Sequence, residues 1–482
     1  MKSSIKKNYF YNVSYQIFAL IVPLITTPYV SRVLGAGGIG EYSYTFAIIK
    51  YFWLLSALGA ATFGAKSIGI VQENKEKRSY AFWNLFSLKV ILSLFFIILY
   101  ILYVIFFAEN RVIAFIQGIN LIAVMFDITW FFQGMEEFKK ISIKNFIIKV
   151  INIIFIFMFV KTKDDLNIYV FGLAFFLLIG NLSMWGSLSK YISKVPIKKL
   201  RPFKDFKGVV KLFIPSIAVE IFSIFDKSMI GWFTESSEEN GYYEQSLKII
   251  YMAVVVITTM GTIMVPKISR EYSKGKVENV NKYLNKSIRF SLMLAIPMTF
   301  GLISISEKFV LYFFGAEYFK ATYLINILSI LFIFMGVNSV TGSQYLISTG
   351  QENKHIKFLL IGGGINIVLN CILIPKFMSI GAAIASVIGE GTIMFLELRY
   401  LKEQKQYNLK ENLKYTIKYL IMSIAMFVSI KFVGKNINSI LDVVVVSAIG
   451  GIIYLVLLVI TKDELVIEEF NSIRNRLGRG VN

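Results

Sequence analysis

The chain has 482 residues, of which 56% are hydrophobic and only 17% are charged, and its mean hydropathy is +0.64. This composition excludes an ordinary water-soluble globular protein, which carries about 25% charged residues. The formal net charge of +21 would suggest nucleic-acid binding in a soluble protein, but in a membrane protein it is explained by lysines that flank helices on the cytoplasmic side.

The residue types that usually bind metals or form disulfides are nearly missing. The chain contains one cysteine, Cys371, and one histidine, His355. A single cysteine excludes an internal disulfide, and neither residue lies in a metal-ligand spacing. We therefore predict no metal site and no bound cofactor.

Long apolar runs, such as the uninterrupted one at 90–107, dominate the sequence. About 20 apolar residues in a helix cross the hydrocarbon layer of a membrane. The sequence therefore predicts an all-α polytopic membrane protein with about 14 transmembrane helices. The predicted segments lie at 10–30, 41–63, 81–107, 112–132, 141–160, 166–188, 209–232, 242–266, 288–306, 321–347, 358–374, 380–398, 415–430 and 439–461.

Loops rich in lysine and arginine alternate with loops that contain few. The stretch 189–208 is strongly basic, whereas 233–241 has no lysine or arginine. The positive-inside rule then places both termini in the cytoplasm. The six segments before the basic stretch and the first six after it predict two parallel repeats. The predicted domains are an N-lobe (1–188), a cytoplasmic linker (189–208), a C-lobe (209–398), a final helix pair (399–461) and a cytoplasmic tail (462–482).

The stretch 27–52 is predicted to be a helix hairpin with a Gly-rich turn, and a weaker copy follows about 200 residues later. Shifting the numbering by 201 puts Gly40 on Gly241, and Lys248 then lies one turn from the position of Lys50. Lysines at similar depth in two related helices predict a cavity for an anionic ligand built by both copies.

The glycines of this turn also match the spacing of a dinucleotide-binding fingerprint. They follow a membrane helix rather than a strand, which excludes a dinucleotide-binding site. Phosphate-binding P-loop spacing does not occur in the sequence, so we expect no ATP hydrolysis.

Seven lysines fall within the apolar segments. Snorkelling to the interface explains most of the four near cytoplasmic ends, Lys89, Lys149, Lys211 and Lys418. Lys50 lies about 13 Å deep at 1.5 Å per residue, so it requires a cavity or a partner carboxylate. Lys248 has Glu244 four residues before it, and an internal ion pair is the alternative to ligand binding there.

Acidic residues inside the segments are candidates for ion coupling or gating: Asp226, Glu220, Glu244 and Asp127. Asp226 and Lys227 are adjacent, and adjacent helical side chains point about 100° apart. The two are therefore expected to have different partners, with Lys50 or Lys248 as candidate partners of Asp226.

Several stretches together resemble the lipid-linked oligosaccharide (polysaccharide repeat-unit) flippases of the multidrug/oligosaccharidyl-lipid/polysaccharide exporter superfamily. The resemblance covers essentially the whole chain. The stretches are PYVSRVLGAGGIGEYSY (28–44), WFFQGMEEF (130–138), FDKSMIGWF (225–233), GYYEQSLKI (241–249), VPKIS (265–269), GSQYLISTGQENKHIK (342–357) and NIVLNCILIPKFMSIGAAIAS (366–386).

The resemblance implies two six-helix lobes around a central cavity, alternating access, and an undecaprenyl-diphosphate-linked oligosaccharide as substrate. It implies that the last two helices form a groove for the lipid tail. By position, the candidates for binding the diphosphate or acidic sugars are Lys50, Lys248, Lys227 and Arg32. Candidate sugar contacts are Asn12, Tyr15, Gln16, Tyr42, Tyr243 and Gln344, with aromatic packing as the alternative for each tyrosine.

The same reading gives the protein's expected setting. It is a transporter of the bacterial cytoplasmic membrane, driven by a proton or sodium gradient or by the membrane potential. Polysaccharide polymerase and assembly proteins are the expected partners, and nucleic acid is not.

Two other functions compete with this reading. A drug/cation antiporter on the same fold would have a neutral or acid-lined cavity. A membrane enzyme, such as a polymerase or glycosyltransferase, would have a large outer loop or a soluble catalytic domain, and no convergent acid/base set supports it.

Overall fold

The computed structural model describes residues 2–434 and 437–468, and for residues 2–13, 212, 214–219, 221–223 and 262 it describes the backbone alone. The side chain of Asn12, a predicted sugar contact, therefore lies outside the described residues. Across the described ranges the regular elements are helices and no strand occurs. The predicted all-α class is confirmed.

The chain divides into two compact units, Met1–Glu244 and Gln245–Asn482. The division falls inside one helix, Ser237–Thr258. The limits predicted for the lobes, the linker, the final helix pair and the tail stay predictions.

The helices are long, as expected for segments that cross a membrane. The first unit contains α1 (Lys2–Ala57), α2 (Ala60–Ile70), α3 (Lys75–Phe106), α4 (Arg111–Gln117), α5 (Ile119–Met125), α6 (Thr129–Gly134), α7 (Phe138–Phe159), α8 (Leu166–Ser183), α9 (Trp185–Leu188), α10 (Phe206–Phe233) and the start of α11 (Ser237–Thr258). The second contains the rest of α11 and α12 (Gly261–Ser273), α13 (Val277–Phe313), α14 (Ala321–Leu328), α15 (Leu331–Asn338), a π-helix (Ser339–Ile347), α16 (Glu352–Phe377), α17 (Ser379–Glu403), α18 (Leu409–Val433) and α19 (Ile440–Ile460).

Eleven helical stretches of the described chain are long and apolar enough to cross a membrane. The number is 12 if the pair Ser237–Thr258 and Ile263–Ser273, bent by 46°, forms one span. The stretch Ser14–Ile70 covers the first two predicted segments by itself. Helix lies over every predicted segment, while the total of 14 spans stays a prediction.

The predicted Gly-rich hairpin is a single-residue break instead of a loop. Helix α1 is interrupted at Gly35, whose φ of 69° and ψ of 176° are not helical. A positive φ is strained for residues that carry a Cβ atom, which explains glycine at this position. The glycines that follow, including Gly40, lie within regular helix, so the expectation of a longer turn was wrong.

Gly40 brings α1 against the start of α11 at backbone distance. A Cβ atom built on Gly40 would lie 1.7 Å from the carbonyl oxygen of Ser237, and one on Gly241 would lie 2.0 Å from the carbonyl oxygen of Ala36. Ser237 and Ala36 are themselves 201 residues apart, as are Gly241 and Gly40. The contact is therefore reciprocal, as at an approximate two-fold axis, and it agrees with the shift of 201 found in the sequence.

The basic stretch 189–208 packs on the start of α3 at the other end of the first unit. The Arg78 guanidinium donates to the carbonyl oxygen of Tyr191 at 2.5 Å, and the Trp83 indole N–H donates to that of Ser193 at 3.2 Å. The backbone N–H of Arg201 donates to Asn84 Oδ1 at 2.8 Å. These bonds hold the predicted linker against the helices instead of leaving it extended.

We expect Gly40→Ala to destabilise the protein by about 1–3 kcal/mol, because the added methyl group must push α1 and α11 apart. The measurement is thermal unfolding of the purified protein in detergent. Gly364→Ala is the control, since a Cβ atom there meets nothing within 4 Å and alanine favours helix. Equal melting temperatures for Gly40→Ala and Gly364→Ala would contradict the close contact.

Candidate functional site

Lys50 lies on α1 beyond the break at Gly35, and its charge has a partner. Its Nζ is 3.4 Å from a carboxylate oxygen of Glu220 on α10. The same ammonium lies 4.8 Å from the centre of the Trp53 ring, at cation–π distance. The Lys50 side chain keeps 26% of its surface exposed. Glu220 therefore supplies the carboxylate that the depth of Lys50 requires.

Lys227, on α10, forms an ion pair with Glu244 on α11. Its Nζ lies 2.5 Å from a carboxylate oxygen of Glu244, and that carboxylate also accepts a hydrogen bond from Ser43 at 3.0 Å. An ion pair of Glu244 with Lys248 was the expected alternative to ligand binding. That alternative stays a prediction, while the carboxylate oxygen Oε2 of Glu244 is held by Lys227 and Ser43, residues of two other helices.

Asp226 has a different partner from its neighbour Lys227. Its carboxylate accepts a hydrogen bond from the hydroxyl of Tyr243 at 2.7 Å, and both side chains are buried. Two residues beyond Asp226 on α10, the hydroxyl of Ser228 lies 3.0 Å from that of Tyr51. The roughly 100° between successive helical side chains accounts for the separation of the two partners.

We call the set Ser43, Lys50, Glu220, Asp226, Lys227, Tyr243 and Glu244 the α1–α10–α11 cluster. It contains two lysines and three carboxylates, and each lysine has a carboxylate within ion-pair distance. The cluster therefore combines cations with carboxylates. An anionic ligand at these lysines would compete with Glu220 and Glu244 for their ammonium groups.

The other predicted binding residues are spread over both units. Tyr42 packs against Tyr169 and Phe46, with ring centres 5.5 and 5.6 Å apart. Tyr15 lies beneath Lys149 Nζ, 5.6 Å from its ring centre. The remaining predicted residues are Arg32 and Gln16, which are exposed on α1, Gln344, which is buried in the π-helix, and Lys248, which lies on α11 in the second unit.

Asp127 belongs to a separate polar group at the break between α5 and α6. Its carboxylate accepts from the backbone N–H of Thr129 at 2.9 Å, and its carbonyl oxygen accepts from Lys89 Nζ at 2.6 Å. Lys89 is 4% exposed, so snorkelling does not explain it. Lys418, in the second unit, is also held internally, at 2.8 Å from Asp463.

The second unit contains an apolar groove of about 470 Å³, which we call the α13–α19 groove. It is formed by side chains of α11, α13, α18 and α19 together with Phe332 and Val466. Two glycines, Gly301 and Gly451, lie along it. Its lining is almost entirely aliphatic and aromatic, which suits a hydrocarbon chain.

The part of the chain described by the structure has no group of three or more His, Cys, Asp or Glu side chains that could hold a metal ion. The carboxylates of the α1–α10–α11 cluster are occupied by lysine, serine and tyrosine instead. The chemistry available in this cluster is therefore ion pairing and hydrogen bonding.

Comparison with known proteins supports a transporter family. Residues 5–272 match the model of the polysaccharide biosynthesis protein family, and residues 212–372 match the MatE model. The putative O-antigen transporter of Escherichia coli (strain K12) is 22% identical over 409 residues, which cover 84% of this chain and 98% of that protein. The capsular polysaccharide biosynthesis protein CapF of Staphylococcus aureus is 22% identical over 399 residues, covering 80% and 96%.

Two solved structures show the same fold. The lipid II flippase MurJ in an inward closed conformation is 17% identical with a TM-score of 0.74, covering 95% of this chain and 100% of that one. An inward-facing multidrug resistance MATE family transporter of the MOP superfamily is 14% identical with a TM-score of 0.63, covering 80% and 93%. Since the first family model matches more than half of the 482 residues, the chain belongs to the polysaccharide biosynthesis protein family of the multidrug/oligosaccharidyl-lipid/polysaccharide exporter superfamily.

Proposed function

We propose that this protein is a flippase that moves undecaprenyl-diphosphate-linked oligosaccharide repeat units from the inner to the outer leaflet of the bacterial cytoplasmic membrane. The observation that carries the proposal is the pairing of Lys50 with Glu220 and of Lys227 with Glu244. Relatives named as an O-antigen transporter, a capsular polysaccharide biosynthesis protein and a lipid II flippase support it. The oligosaccharide would serve capsule, O-antigen or exopolysaccharide synthesis.

The diphosphate is the part of this substrate that crosses hydrocarbon least readily. A diphosphate in an apolar medium is strongly disfavoured unless cations and hydrogen-bond donors replace its water. Lys50 and Lys227 are such donors, and their bonds to an anionic oxygen would be charge-assisted. Glu220 and Glu244 hold the two ammonium groups while no substrate is bound, so the site stays neutralised between transport events.

Substrate binding then becomes an exchange of partners. A phosphate oxygen takes the place of Glu220 beside Lys50, and the Glu220 side chain, which is 50% exposed, turns toward water at little cost. Glu244 is only 16% exposed and is held by Ser43 as well. The Lys50–Glu220 pair is therefore the one that opens first.

The α13–α19 groove is the proposed site for the lipid tail. A polyprenyl chain loses contact with the bilayer core wherever its head group enters a protein cavity, and apolar walls restore that contact. The groove lies in the second unit and includes α18 and α19, the two helices that the sequence places outside the six-helix repeat.

Membrane placement and driving force complete the proposal. By the positive-inside rule, both termini would lie in the cytoplasm together with the basic loops. Transport by alternating access would be driven by a proton or sodium gradient or by the membrane potential, and polysaccharide polymerase and assembly proteins would act beside it. Arg32, Tyr15, Gln16, Tyr42, Tyr243 and Gln344 remain proposed contacts of the head group or the sugars.

A drug/cation antiporter is the second candidate. The observation that favours it is the excess of carboxylates over lysines in the α1–α10–α11 cluster, together with the match of residues 212–372 to the MatE model. Deletion of the gene would then raise sensitivity to cationic drugs. Unchanged drug tolerance with loss of surface polysaccharide would exclude this candidate.

We expect Lys50→Gln and Glu220→Gln to change head-group affinity in opposite directions. One charge-assisted hydrogen bond is worth about 1.5–3 kcal/mol, or roughly 10–100-fold in affinity. Lys50→Gln removes that bond, whereas Glu220→Gln removes a competitor for it. The measurement is binding of undecaprenyl diphosphate to purified protein, with the exposed Lys66→Gln as control. Weaker binding by both variants would show that the pair is only structural.

We expect Lys50→Ala combined with Lys248→Ala to abolish surface polysaccharide in a strain whose own copy of the gene is deleted. The reason is that two of the proposed head-group cations are lost together. Surface polysaccharide is measured by gel and antibody staining, and the amount of folded protein by detergent gel filtration. Lys66→Ala should restore normal polysaccharide, and normal levels in the double variant would disprove the site assignment.

We expect Gly451→Phe to reduce surface polysaccharide at least ten-fold by filling the α13–α19 groove. A Cβ atom at Gly451 meets nothing within 4 Å, so the larger side chain enters the groove without displacing a helix. Gly364→Phe is the matched control, because its Cβ position is equally open but lies outside the groove. The same loss in both variants would point to general damage rather than to a blocked groove.

A further inference from the structure

The only histidine of the chain forms a buried pair that the proposed transport site does not use. His355 Nδ1 lies 2.6 Å from Oε1 of Glu397, and Glu397 is completely buried. His355 is the fourth residue of α16, and Glu397 lies six residues before the end of α17. Both are therefore near the same end of the second unit, where the loops 348–351 and 404–408 leave the helices.

The pair is completed by the π-helix. The Thr341 hydroxyl is hydrogen-bonded to Oε2 of Glu397 and lies 3.0 Å from the carbonyl oxygen of Val337. A Cβ atom on Gly342 would lie 2.2 Å from Cε1 of His355, so glycine lets the ring rest on the π-helix. A single π-helical stretch within α-helices often marks a functional site.

A carboxylate in this position must be neutralised. An isolated buried carboxylate is disfavoured by far more than a hydrogen bond can offset. One proton shared by His355 and Glu397 makes the pair neutral, either as imidazolium with carboxylate or as imidazole with carboxylic acid. Loss of that proton would leave an uncompensated negative charge inside the helix bundle.

The Thr341 hydroxyl can serve both of these forms. It has one proton to donate and can also accept. With a carboxylate it donates to Glu397, and with a carboxylic acid it accepts from Glu397 and donates to Val337 instead. Either arrangement leaves the side-chain bonds of the pair satisfied while exactly one proton is present.

Other charged groups lie on every element that packs against the pair except α15. Many of them have partners of their own. Lys354 lies over the Tyr400 ring, Arg399 forms an ion pair with Glu403, and Arg289 forms one with Glu411. Glu390 accepts a hydrogen bond from Asn338, and Glu271 accepts one from Asn279. The others on these elements near this end include Lys267, Arg270, Tyr272, Lys282, Tyr283, Lys286, Tyr345, Glu352, Lys357 and Lys402. In the described structure the contacts of the Glu397 carboxylate are with Thr341 and His355.

We propose that His355 and Glu397 form the proton-binding site that couples proton movement to transport. The coupling to transport rests on the proposed function, whereas proton binding by the pair does not depend on that function. The pair binds one proton while the end of the second unit near loops 348–351 and 404–408 is closed. Release of that proton to water leaves the Glu397 carboxylate charged, and the charge favours a conformation in which water reaches it.

One further hydrogen bond lies next to the pair and involves neither His355 nor Glu397. The Tyr400 hydroxyl donates to Oε1 of Gln351 at 2.6 Å, which joins α17 to the residue just before α16. Tyr400 lies three residues beyond Glu397, and its hydroxyl donates to Gln351 rather than to Glu397. Tyr400→Phe therefore serves as a control that alters a neighbouring bond and leaves the proton-sharing pair intact.

Proton sharing can be measured directly because the chain contains a single histidine. Full-length protein labelled with ¹⁵N-histidine in lipid nanodiscs should give one imidazole signal set, followed by NMR from pH 5 to 9. We expect the imidazole signals and their response to pH to differ between wild type and Glu397→Gln, and Tyr400→Phe to match wild type. Identical responses in wild type and Glu397→Gln would overturn the proposal.

Coupling is tested by surface polysaccharide in the deletion strain. We expect Glu397→Gln and His355→Gln to lower it at least ten-fold at normal levels of folded protein, and Tyr400→Phe to retain it. Normal polysaccharide in both Gln variants would overturn the coupling. Failure of the wild-type gene to restore polysaccharide would instead disprove the proposed function, while the NMR result would still decide whether the pair binds a proton.

Discussion

A charge inside a membrane helix needs a counter-charge, and much of the polar structure of this protein follows from that need. Lys50 meets Glu220, Lys227 meets Glu244, and Lys418 meets Asp463. In water such pairs contribute little, but among apolar helices each lone member would be strongly disfavoured. The helices that carry the charges must therefore stay close enough for their side chains to meet.

The pairs differ in how easily they can open. Glu220 is half exposed, whereas Asp463 and Glu397 are completely buried. A pair with one exposed member can exchange its partner for a ligand at small cost, while a pair with a fully buried member fixes the position of its helices. The same interaction thus provides a place for an anion in one part of the chain and rigidity or proton sharing in another.

Sequence reasoning succeeded where the signal is local. Hydropathy predicted the helical class and the positions of the helices. The depth of Lys50 in its segment indicated that its charge requires a partner or a cavity. The identity of that partner could not be predicted, because Glu220 is 170 residues away and only packing of α10 on α1 brings it close. The pairing of His355 with Glu397 could not be predicted for the same reason, since the two residues lie on different helices.

The Gly-rich stretch was misread because glycine serves two purposes in it. Gly35 has a positive φ and breaks the helix, while Gly40 is helical and removes a side chain from a crossing point. A sequence shows the glycines but not their dihedral angles, so a run of them suggests a loop. The shift of 201 residues between the two copies was the more informative signal, since it identifies the two helical segments that contact each other.

That crossing constrains how the protein can evolve. The atoms that a side chain at Gly40 or Gly241 would strike belong to the backbone, the carbonyl oxygens of Ser237 and Ala36. No replacement of the facing residue can make room, because every amino acid carries the same carbonyl group. Second-site suppressors of a substitution at either glycine must therefore arise at positions that shift a whole helix. The two glycines should stay unchanged during evolution even where the neighbouring side chains vary.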